Sequence, residues 1–230
     1  MARLLRDAGH EAVIATTDWH AAAVQAEGFA FAPMAPTTAQ LGDPQRHVRA
    51  LFHPRHGPEY LVREMLMPYV RQSHRDLLEA TRGADLLVSH PLAFAAPLVA
   101  EQTGLAWAST VLSPFSLLSA RDAPVFPNAP LLGWLGRLGL APYRLLYVLM
   151  RHTVARWEQP LAALRREIGL KPAPPALVSS QYSPLMNLAL FSPQLAAPQP
   201  DWPRNTIVCG FPRFEGSAPD EANREALEGF

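Results

Sequence analysis

The sequence predicts an α/β protein with a parallel β-sheet and helices on both faces. Six short apolar segments alternate along the chain with stretches whose apolar residues have helical spacing. Apolar segments without a polar face are typical of strands in a parallel sheet that is covered on both sides. The chain has 230 residues, of which 49% are hydrophobic and 17% charged, and this composition allows a sizeable core.

The N-terminal part predicts two helices and two strands. Apolar residues spaced by three and four positions predict a helix over 1–8, and an apolar run predicts a strand over 12–15. Asp18 is expected to cap a second helix over 18–27, because its carboxylate can accept the free backbone N–H groups there. A short strand is predicted over 29–32.

The middle of the chain predicts a loop, a long helix and two further strands. Residues 33–58 are polar and contain several prolines and histidines, which indicates a loop. A helix is predicted over 59–82 with a kink at Pro68, because proline lacks the N–H that would bond to the preceding turn. Two continuous apolar runs, 85–88 and 106–112, predict buried strands.

The last part predicts a helical region and two strands joined by irregular segments. An irregular segment over 113–130 precedes helical sequence that extends to about residue 168. Strands are predicted over 188–191 and 207–209, after a proline-rich connection. Cys209, in the second of them, is expected to be a small buried hydrophobic residue.

The charge and cysteine content exclude some classes of protein. Twenty Lys and Arg residues balance twenty Asp and Glu residues, so the chain lacks the positive charge needed to bind nucleic acid over a broad surface. A single cysteine permits no intrachain disulfide, and the first residues contain no apolar run of signal-peptide length. We therefore expect a soluble cytoplasmic protein without a nucleic-acid partner.

The order of the predicted elements indicates a sheet whose first strand is missing. A helix that leads into a parallel strand normally follows another strand, because the crossover joins two neighbouring strands. In doubly wound sheets the first strand is central, and the loop after it carries phosphate-binding or catalytic groups. We therefore expect a piece of a longer protein, with that strand before Met1 and more sequence after Phe230.

Four segments carry a resemblance to a known family. They are ARLLRDAGHEAVIAT (2–16), ADLLVSHPLAFAAPLVAEQTGLAW (84–107), SPFS (113–116) and NLALFSPQLAAPQPDWPRNTIVCGFPRFE (187–215). They resemble the N-terminal, acceptor-binding half of bacterial GT-B glycosyltransferases, in the branch that glycosylates sterols, lipids and polyketides. The resemblance implies a Rossmann-like acceptor-binding domain over 1–215 and, over 216–230, the start of a linker to a C-terminal donor domain.

The resemblance also implies a reaction. A hexose passes from a nucleotide sugar to an acceptor hydroxyl by direct displacement at the anomeric carbon, without a cofactor or an obligatory metal. The nucleotide sugar is held mostly by the C-terminal domain. The usual base, a His or Asp, belongs to a glycine-containing turn that would precede Met1. We therefore assign no catalytic residue and expect the chain alone to be inactive.

Candidate acceptor-binding residues lie at the predicted carboxyl edge of the sheet, where ligands of open α/β sheets bind. His90 directly follows the strand over 85–88, at a point where many relatives carry an acidic residue that orients the base. It is expected to contact the acceptor or the diphosphate, and a hydrogen-bonded loop histidine is the alternative. The same edge is predicted to carry four residues that line an apolar acceptor pocket, although each also fits an ordinary core position: Phe94, Ser113, Phe115 and Phe126.

The other histidines near the N-terminus are given structural interpretations. His10 falls at the amino edge of the sheet, which favours a turn residue over a catalytic one. The spacing of His47, His53 and His56 invites a metal site, but Pro54 and the lack of a nearby cysteine or paired carboxylate favour a solvated loop. No metal site is predicted.

The most apolar stretch of the chain covers 131–154 and is interrupted every seven residues by Arg137, Arg144 and Arg151. Charges at these positions argue against a membrane-spanning helix. A surface helix with one polar stripe explains the pattern, and peripheral contact with a membrane is the alternative.

Two functions outside glycosyl transfer stay open. One is an NAD(P)-dependent oxidoreductase that has lost its glycine-rich turn, with Asp18 binding the ribose. The other is a small-molecule-binding module without catalysis. Neither a G-x-S-x-G nucleophile motif nor a P-loop occurs, so hydrolase and NTPase functions have no support.

Overall fold

The computed structural model describes residues 1–54, 56–122 and 139–212. The helices of this part are α1 (Ala2–Asp7), α2 (Ala21–Ala26), α3 (Thr38–Leu41), α4 (Pro44–Leu51), α5 (Gly57–Tyr60), α6 (Val70–Ala80), α7 (Ala96–Thr103), α8 (Ala141–Trp157) and α9 (Gln159–Glu167). Its strands are β1 (Val13–Thr16), β2 (Ala30–Pro33), β3 (Leu86–Ser89), β4 (Ala106–Val111), β5 (Met186–Ala189) and β6 (Thr206–Val208). All six predicted strands are confirmed, with bounds shifted by at most two residues.

The strands form two parallel sheets. β1 pairs with β2, and the other four strands lie side by side in the order β3, β4, β5, β6. β1 and β3 do not pair with each other, so the predicted parallel sheet is present in two parts within the described residues. Because the strands of each sheet are parallel, their carboxyl ends lie at one edge.

Helix α6 connects the layers of the molecule. It packs against β1, β2, α7 and α9. Its Leu77 is buried with Leu87 of β3, Val99 of α7 and Trp107 of β4, and Ala15 of β1 packs against the same cluster. The two sheets therefore share one helical layer.

The larger sheet is covered more completely on one face than on the other. One face carries Trp107 and Val111 of β4 and Ala189 of β5. These side chains are buried under α7 and under the segments that follow β4 and β5. The opposite face carries Leu86, Met186 and Ile207, which are exposed. The α/β class is confirmed, but within the described residues the helices on the second face cover less than predicted.

A polar network lies at the centre of this sheet. Asn187 of β5 is fully buried, and its Oδ1 accepts from the Ser109 hydroxyl and from the Ser183 N–H. Its Nδ2 donates to the backbone carbonyls of Ser183 and Arg204. All four hydrogen-bonding positions of the amide are used, and the network ties β4 to β5 and to the segment before β6.

Three sequence predictions about local structure need correction. The loop predicted over 33–58 contains α3 and α4, because Thr37 and Asp43 cap their N-termini with side-chain oxygens. The helix predicted over 59–82 is interrupted by a π-helical segment and by a 3₁₀ turn that contains Pro68, as the predicted kink required. Cys209 lies just after β6 and is exposed.

Candidate functional site

His90 lies directly after β3, at the carboxyl edge of the larger sheet. The Leu92 N–H donates to its Nδ1 over 3.1 Å, which places the proton of the neutral ring on Nε2. The ring is exposed at the surface, yet its apolar surroundings desolvate it enough to lower its pKa. His90 is therefore neutral at pH 7 and presents an N–H donor rather than a base.

A narrow crevice lies beside His90, and it has no interior space for a sphere the size of a water molecule. Ligand pockets are usually about 300–1,000 Å³, so this crevice alone is too small for an acceptor. Phe94 lines it but is only 4% exposed, and it packs in the core with Val62 and Leu98. The structure thus gives Phe94 the packing of a core residue, and its role in binding stays a prediction.

Ser113 and Phe115 lie beyond the end of β4. The Ser113 Oγ accepts the Phe115 N–H over 3.3 Å and begins a 3₁₀ turn, and Phe115 is 47% exposed. Since Ser89 pairs with Ser109, Ser113 lies three residues farther along its strand than His90, roughly 10 Å at the rise of a strand. The carboxyl edge is therefore uneven, because Ser113 and the exposed ring of Phe115 follow β4 beyond the level of His90.

The fourth residue predicted for this pocket, Phe126, lies outside the described residues, as do 216–230, predicted to begin a linker.

Asp18 follows β1 at the carboxyl edge of the smaller sheet, but it does not cap the helix that follows. Its Oδ1 accepts the N–H and the hydroxyl of Thr38, each over 2.7 Å, and also the Thr17 hydroxyl. These hydrogen bonds lower the pKa of the carboxyl, so it stays ionised. The cap prediction was wrong because a residue 20 positions later supplies better donors, and the occupied carboxylate disfavours a ribose-binding role.

Helix α6 fixes the loop that follows β2 at this edge. Asp76 accepts the Ala35 N–H over 2.9 Å, and the Ser73 hydroxyl donates to the Ala35 carbonyl over 2.8 Å. Sequence reasoning missed both residues. The available signal was their spacing of three, which places two short polar side chains on one side of an otherwise amphipathic helix.

A larger cavity of about 460 Å³ lies on the covered face of the sheet, near the amino ends of β5 and β6. It is lined by Tyr147, Tyr182, Asp201, Trp202 and Arg204, among others. Its size suits a ligand, but ligands of open parallel sheets bind at the carboxyl edge. We place the candidate site at the carboxyl edge of the larger sheet, because His90 and Ser113 follow the neighbouring strands β3 and β4 there.

Asp201 of the PQPDWP segment has a structural role beside this cavity. Its carboxylate accepts the Ser119 hydroxyl over 2.7 Å and the Ala120 N–H over 2.8 Å. Partial burial opposes ionisation, but these hydrogen bonds dominate and lower its pKa. Burial, with the nearby Tyr143 and Asp201, raises the pKa of Tyr147 to about 12, and its hydroxyl donates to the Ser119 carbonyl.

The remaining histidines of the sequence analysis have local partners. His47 bonds to the Tyr60 hydroxyl through Nδ1 and to the Leu41 carbonyl through Nε2. The rings of His53 and His56 stack at 4.9 Å, and the His10 N–H donates to the Leu5 carbonyl. Within 1–54, 56–122 and 139–212, no three His, Cys, Asp or Glu residues are grouped as a metal site. In the same ranges no helix is long and apolar enough to cross a bilayer.

No protein-family model and no curated protein matches the chain in sequence. Glycosyltransferases are among the solved structures that are similar to it. The glycotransferase of kitacinnamycin aligns over 95% of this chain and 48% of its own, with 14% identity and a TM-score of 0.58. Glycosyltransferase SnogD from Streptomyces nogalater aligns over 96% of this chain and 50% of its own, with 19% identity and a TM-score of 0.52.

The third structure is glycosyltransferase SsfS6 of Streptomyces sp. SF2575, complexed with thymidine diphosphate. It aligns over 85% of this chain and 45% of its own, with 20% identity and a TM-score of 0.48. The chain spans about half the length of the solved structures that it matches. The first two alignments and the parallel α/β architecture together give the chain the Rossmann-like fold of one half of a GT-B glycosyltransferase, as the sequence resemblance predicted for the N-terminal half.

Proposed function

We propose that the chain is the acceptor-recognition half of a glycosyltransferase that moves a hexose from a nucleotide sugar to a hydroxyl of a lipid, sterol or polyketide-type acceptor. The observation that carries the proposal is the alignment of 95% of the chain with 48% of a glycosyltransferase at a TM-score of 0.58. One of the matched structures is the glycotransferase of kitacinnamycin, and this name favours a small organic acceptor over a protein.

The role of this half is to position the acceptor. Holding a hydroxyl in line with the anomeric carbon turns a bimolecular step into an effectively unimolecular one. The Nε2–H of neutral His90 can donate to an acceptor oxygen or to the departing diphosphate, while Phe115 offers apolar surface at the same edge. Ser113 keeps its hydroxyl proton for a similar bond, because its oxygen accepts from the backbone.

No general base is assigned to the described residues. His90 has its Nδ1 engaged by a backbone N–H, and Asp18 is held ionised by hydroxyl and amide donors that leave it a weak base. The base and most of the nucleotide-sugar site would belong to other parts of the longer protein. We infer that the chain alone is inactive, requires no metal and works in the cytoplasm, with its acceptor as the partner it binds directly.

Binding measurements on the full 230-residue chain test this division of labour. We expect a hydroxylated aromatic polyketide or a sterol to bind in isothermal titration, and UDP-glucose, dTDP-glucose and NADH not to bind. His90→Phe removes the donor and keeps the ring, so it should weaken acceptor binding about tenfold, the worth of one hydrogen bond. His152→Phe, an exposed histidine on α8, is the matched control and should bind as the unmodified chain does.

Two results would contradict parts of the proposal. Tight NADH binding would support the oxidoreductase instead, and robust sugar transfer by the chain alone would show that the base has been placed wrongly. The DNA on both sides of the coding region supplies an independent check. Glycosyl transfer predicts a strand with Gly-(His or Asp)-x-x-Pro upstream and a glycine-rich diphosphate loop downstream, the oxidoreductase predicts G-x-G-x-x-G upstream, and stop codons on both sides would leave the binding module.

A further inference from the structure

Helix α8 has one buried side and one exposed side. Tyr143 and Val154 are buried, and the hydroxyl of Tyr147 on the same side donates to the Ser119 carbonyl. At about 100° per residue, the opposite side is centred near Leu145 and Leu149. The exposed fractions of Leu145, Val148 and Leu149 are 61%, 46% and 56%. Three aliphatic side chains thus lie next to one another in solvent on a single helix.

The charges of α8 all have one sign. Arg144, Arg151 and Arg156 are exposed, and the 17 residues of the helix include no Asp or Glu. The whole chain, in contrast, has equal numbers of basic and acidic residues. Arg144 and Arg151 lie two turns apart on one flank of the apolar group, and Arg151 also lines the 460 Å³ cavity. Arg156 lies on the outward face itself, nearer the C-terminus of the helix. The exposed side therefore combines an apolar group with positive charge along one flank and toward its C-terminal end.

We propose that this side of α8 binds the surface of an anionic lipid membrane. A helix that lies in the interface buries its apolar side chains among the acyl chains and keeps its basic residues at the headgroups. The three arginines are long enough to reach the phosphates while Leu145, Val148 and Leu149 are inserted. At 17 residues with three charges, the helix lies on a bilayer and does not span it.

The charge pattern argues for lipid over a second copy of the chain. A two-fold dimer through this side would bring together two helices that each carry three arginines and no acidic residue, and like charges across an interface are repulsive. The surface is also separate from the proposed acceptor site, because it includes none of the residues at the carboxyl edge. Membrane binding and acceptor binding can therefore succeed or fail independently.

Flotation of the full chain with vesicles tests the proposal. With equal parts of phosphatidylcholine and phosphatidylglycerol at low salt, we expect the chain to float with the vesicles, and high salt or pure phosphatidylcholine to release it. The double variant Arg144→Glu/Arg151→Glu should bind the anionic vesicles at least about tenfold more weakly. The double variant Leu145→Ser/Leu149→Ser should bind more weakly at every salt concentration, because it removes the inserted apolar groups.

Two matched variants distinguish binding through this surface from non-specific binding to vesicles. Leu195→Ser removes a leucine that is as exposed as Leu145 but lies outside α8, and Arg166→Glu reverses an exposed charge on α9. Both should bind vesicles like the unmodified chain, and circular dichroism should show the same helix content for all variants. The proposal is overturned if the unmodified chain stays at the bottom of the gradient at low salt, or if the α8 variants float as well as the controls.

Discussion

β1 and β5 are both four-residue parallel strands, yet they lie in very different surroundings. β5 has Asn187 and Ala189 fully buried, whereas β1 has no buried residue, and neither has α1, the helix before it. Backbone pairing is thus similar in the two sheets, while the burial of side chains differs. The difference teaches that more of the buried side-chain packing lies in the larger sheet, and that the smaller one is held by its ladder, by partly buried contacts with α6 and by surface contacts.

The polar network around Asn187 also fixes how β4 and β5 are aligned. A shift of one residue would turn every side chain of β5 to the other face and separate the amide from its partners. An apolar residue at this position would fit the burial but would not distinguish between registers. A fully satisfied polar group in the centre of a sheet therefore contributes specificity together with stability.

Replacing Asn187 is the strongest way to test this contrast. Asn187→Ala removes the partner of the Ser109 hydroxyl and of two backbone carbonyls, and it leaves the Ser183 N–H only its longer contact of 3.4 Å with the Ser109 Oγ. We expect the free energy of unfolding to fall by about 3 kcal/mol. Urea denaturation followed by circular dichroism measures the loss.

Asn205 is the matched control, because its amide also donates to a backbone carbonyl, that of Pro184, but lies at the surface. Its φ is 59°, a conformation that glycine adopts without strain, so Asn205→Gly should cost less than about 1 kcal/mol. Equal losses for the two variants would show that the buried network is not what distinguishes the larger sheet.

Much of the fold could be predicted because it follows from short-range pattern. The continuous apolar runs predicted the six strands and their parallel class. The exposed surface helix was predicted from the heptad spacing of Arg144 and Arg151, both of which lie on α8. Periodicity and composition contain this information without any knowledge of distant contacts.

The parts that could not be predicted depend on partners far apart in sequence. Asp18 was expected to cap its own helix but binds Thr38, and the role of Asn187 depends on Ser109, 78 positions earlier. His90 was placed at the correct edge, but its tautomer depends on the turn that follows the strand. Such pairings are fixed by the tertiary fold, so no local spacing reveals them.

A second test concerns the buried carboxylate of Glu158 and the dependence of stability on pH. Glu158 is buried between α8 and α9, and it accepts the N–H groups of Ala176 and Leu177. Burial raises its pKa above the usual 4.5, and the two hydrogen bonds only partly oppose this. The folded state therefore binds a proton more readily than the unfolded state, and the contribution of Glu158 to stability is greatest below about pH 4.5 and decreases as the pH rises through the raised pKa.

Glu158→Gln removes this dependence, because the amide does not titrate. At neutral pH the variant loses one accepted hydrogen bond but no longer buries a charge, so the net change should be within about 1 kcal/mol. As the pH is lowered from 7 toward 4.5, we expect the unmodified chain to gain stability relative to the variant. Urea midpoints at several pH values measure the difference, and a constant difference would show that Glu158 has an ordinary pKa.

The smallest effect is expected at the contact between α1 and the end of α2. The Arg3 guanidinium donates to the Glu27 carboxylate, and both side chains are partly exposed to water. Exposed ion pairs contribute about 0.5 kcal/mol and are screened by salt, so Glu27→Gln should lower stability by no more than that and by less in high salt.

Arg6 contacts the segment from Glu27 to Phe29 in a different way. Its replacement distinguishes the contribution of charge from that of packing at this surface. Its guanidinium lies 4.8 Å from the centre of the Phe29 ring and donates to the Glu27 carbonyl. Arg6→Ala should therefore cost more than Glu27→Gln, about 1 kcal/mol, and its effect should persist in high salt because part of it is packing. Glu27→Gln could instead lower the free energy of unfolding as much as Asn187→Ala does, in a way that depends on salt. That result would mean that a surface ion pair stabilises the smaller sheet as much as the buried amide stabilises the larger one.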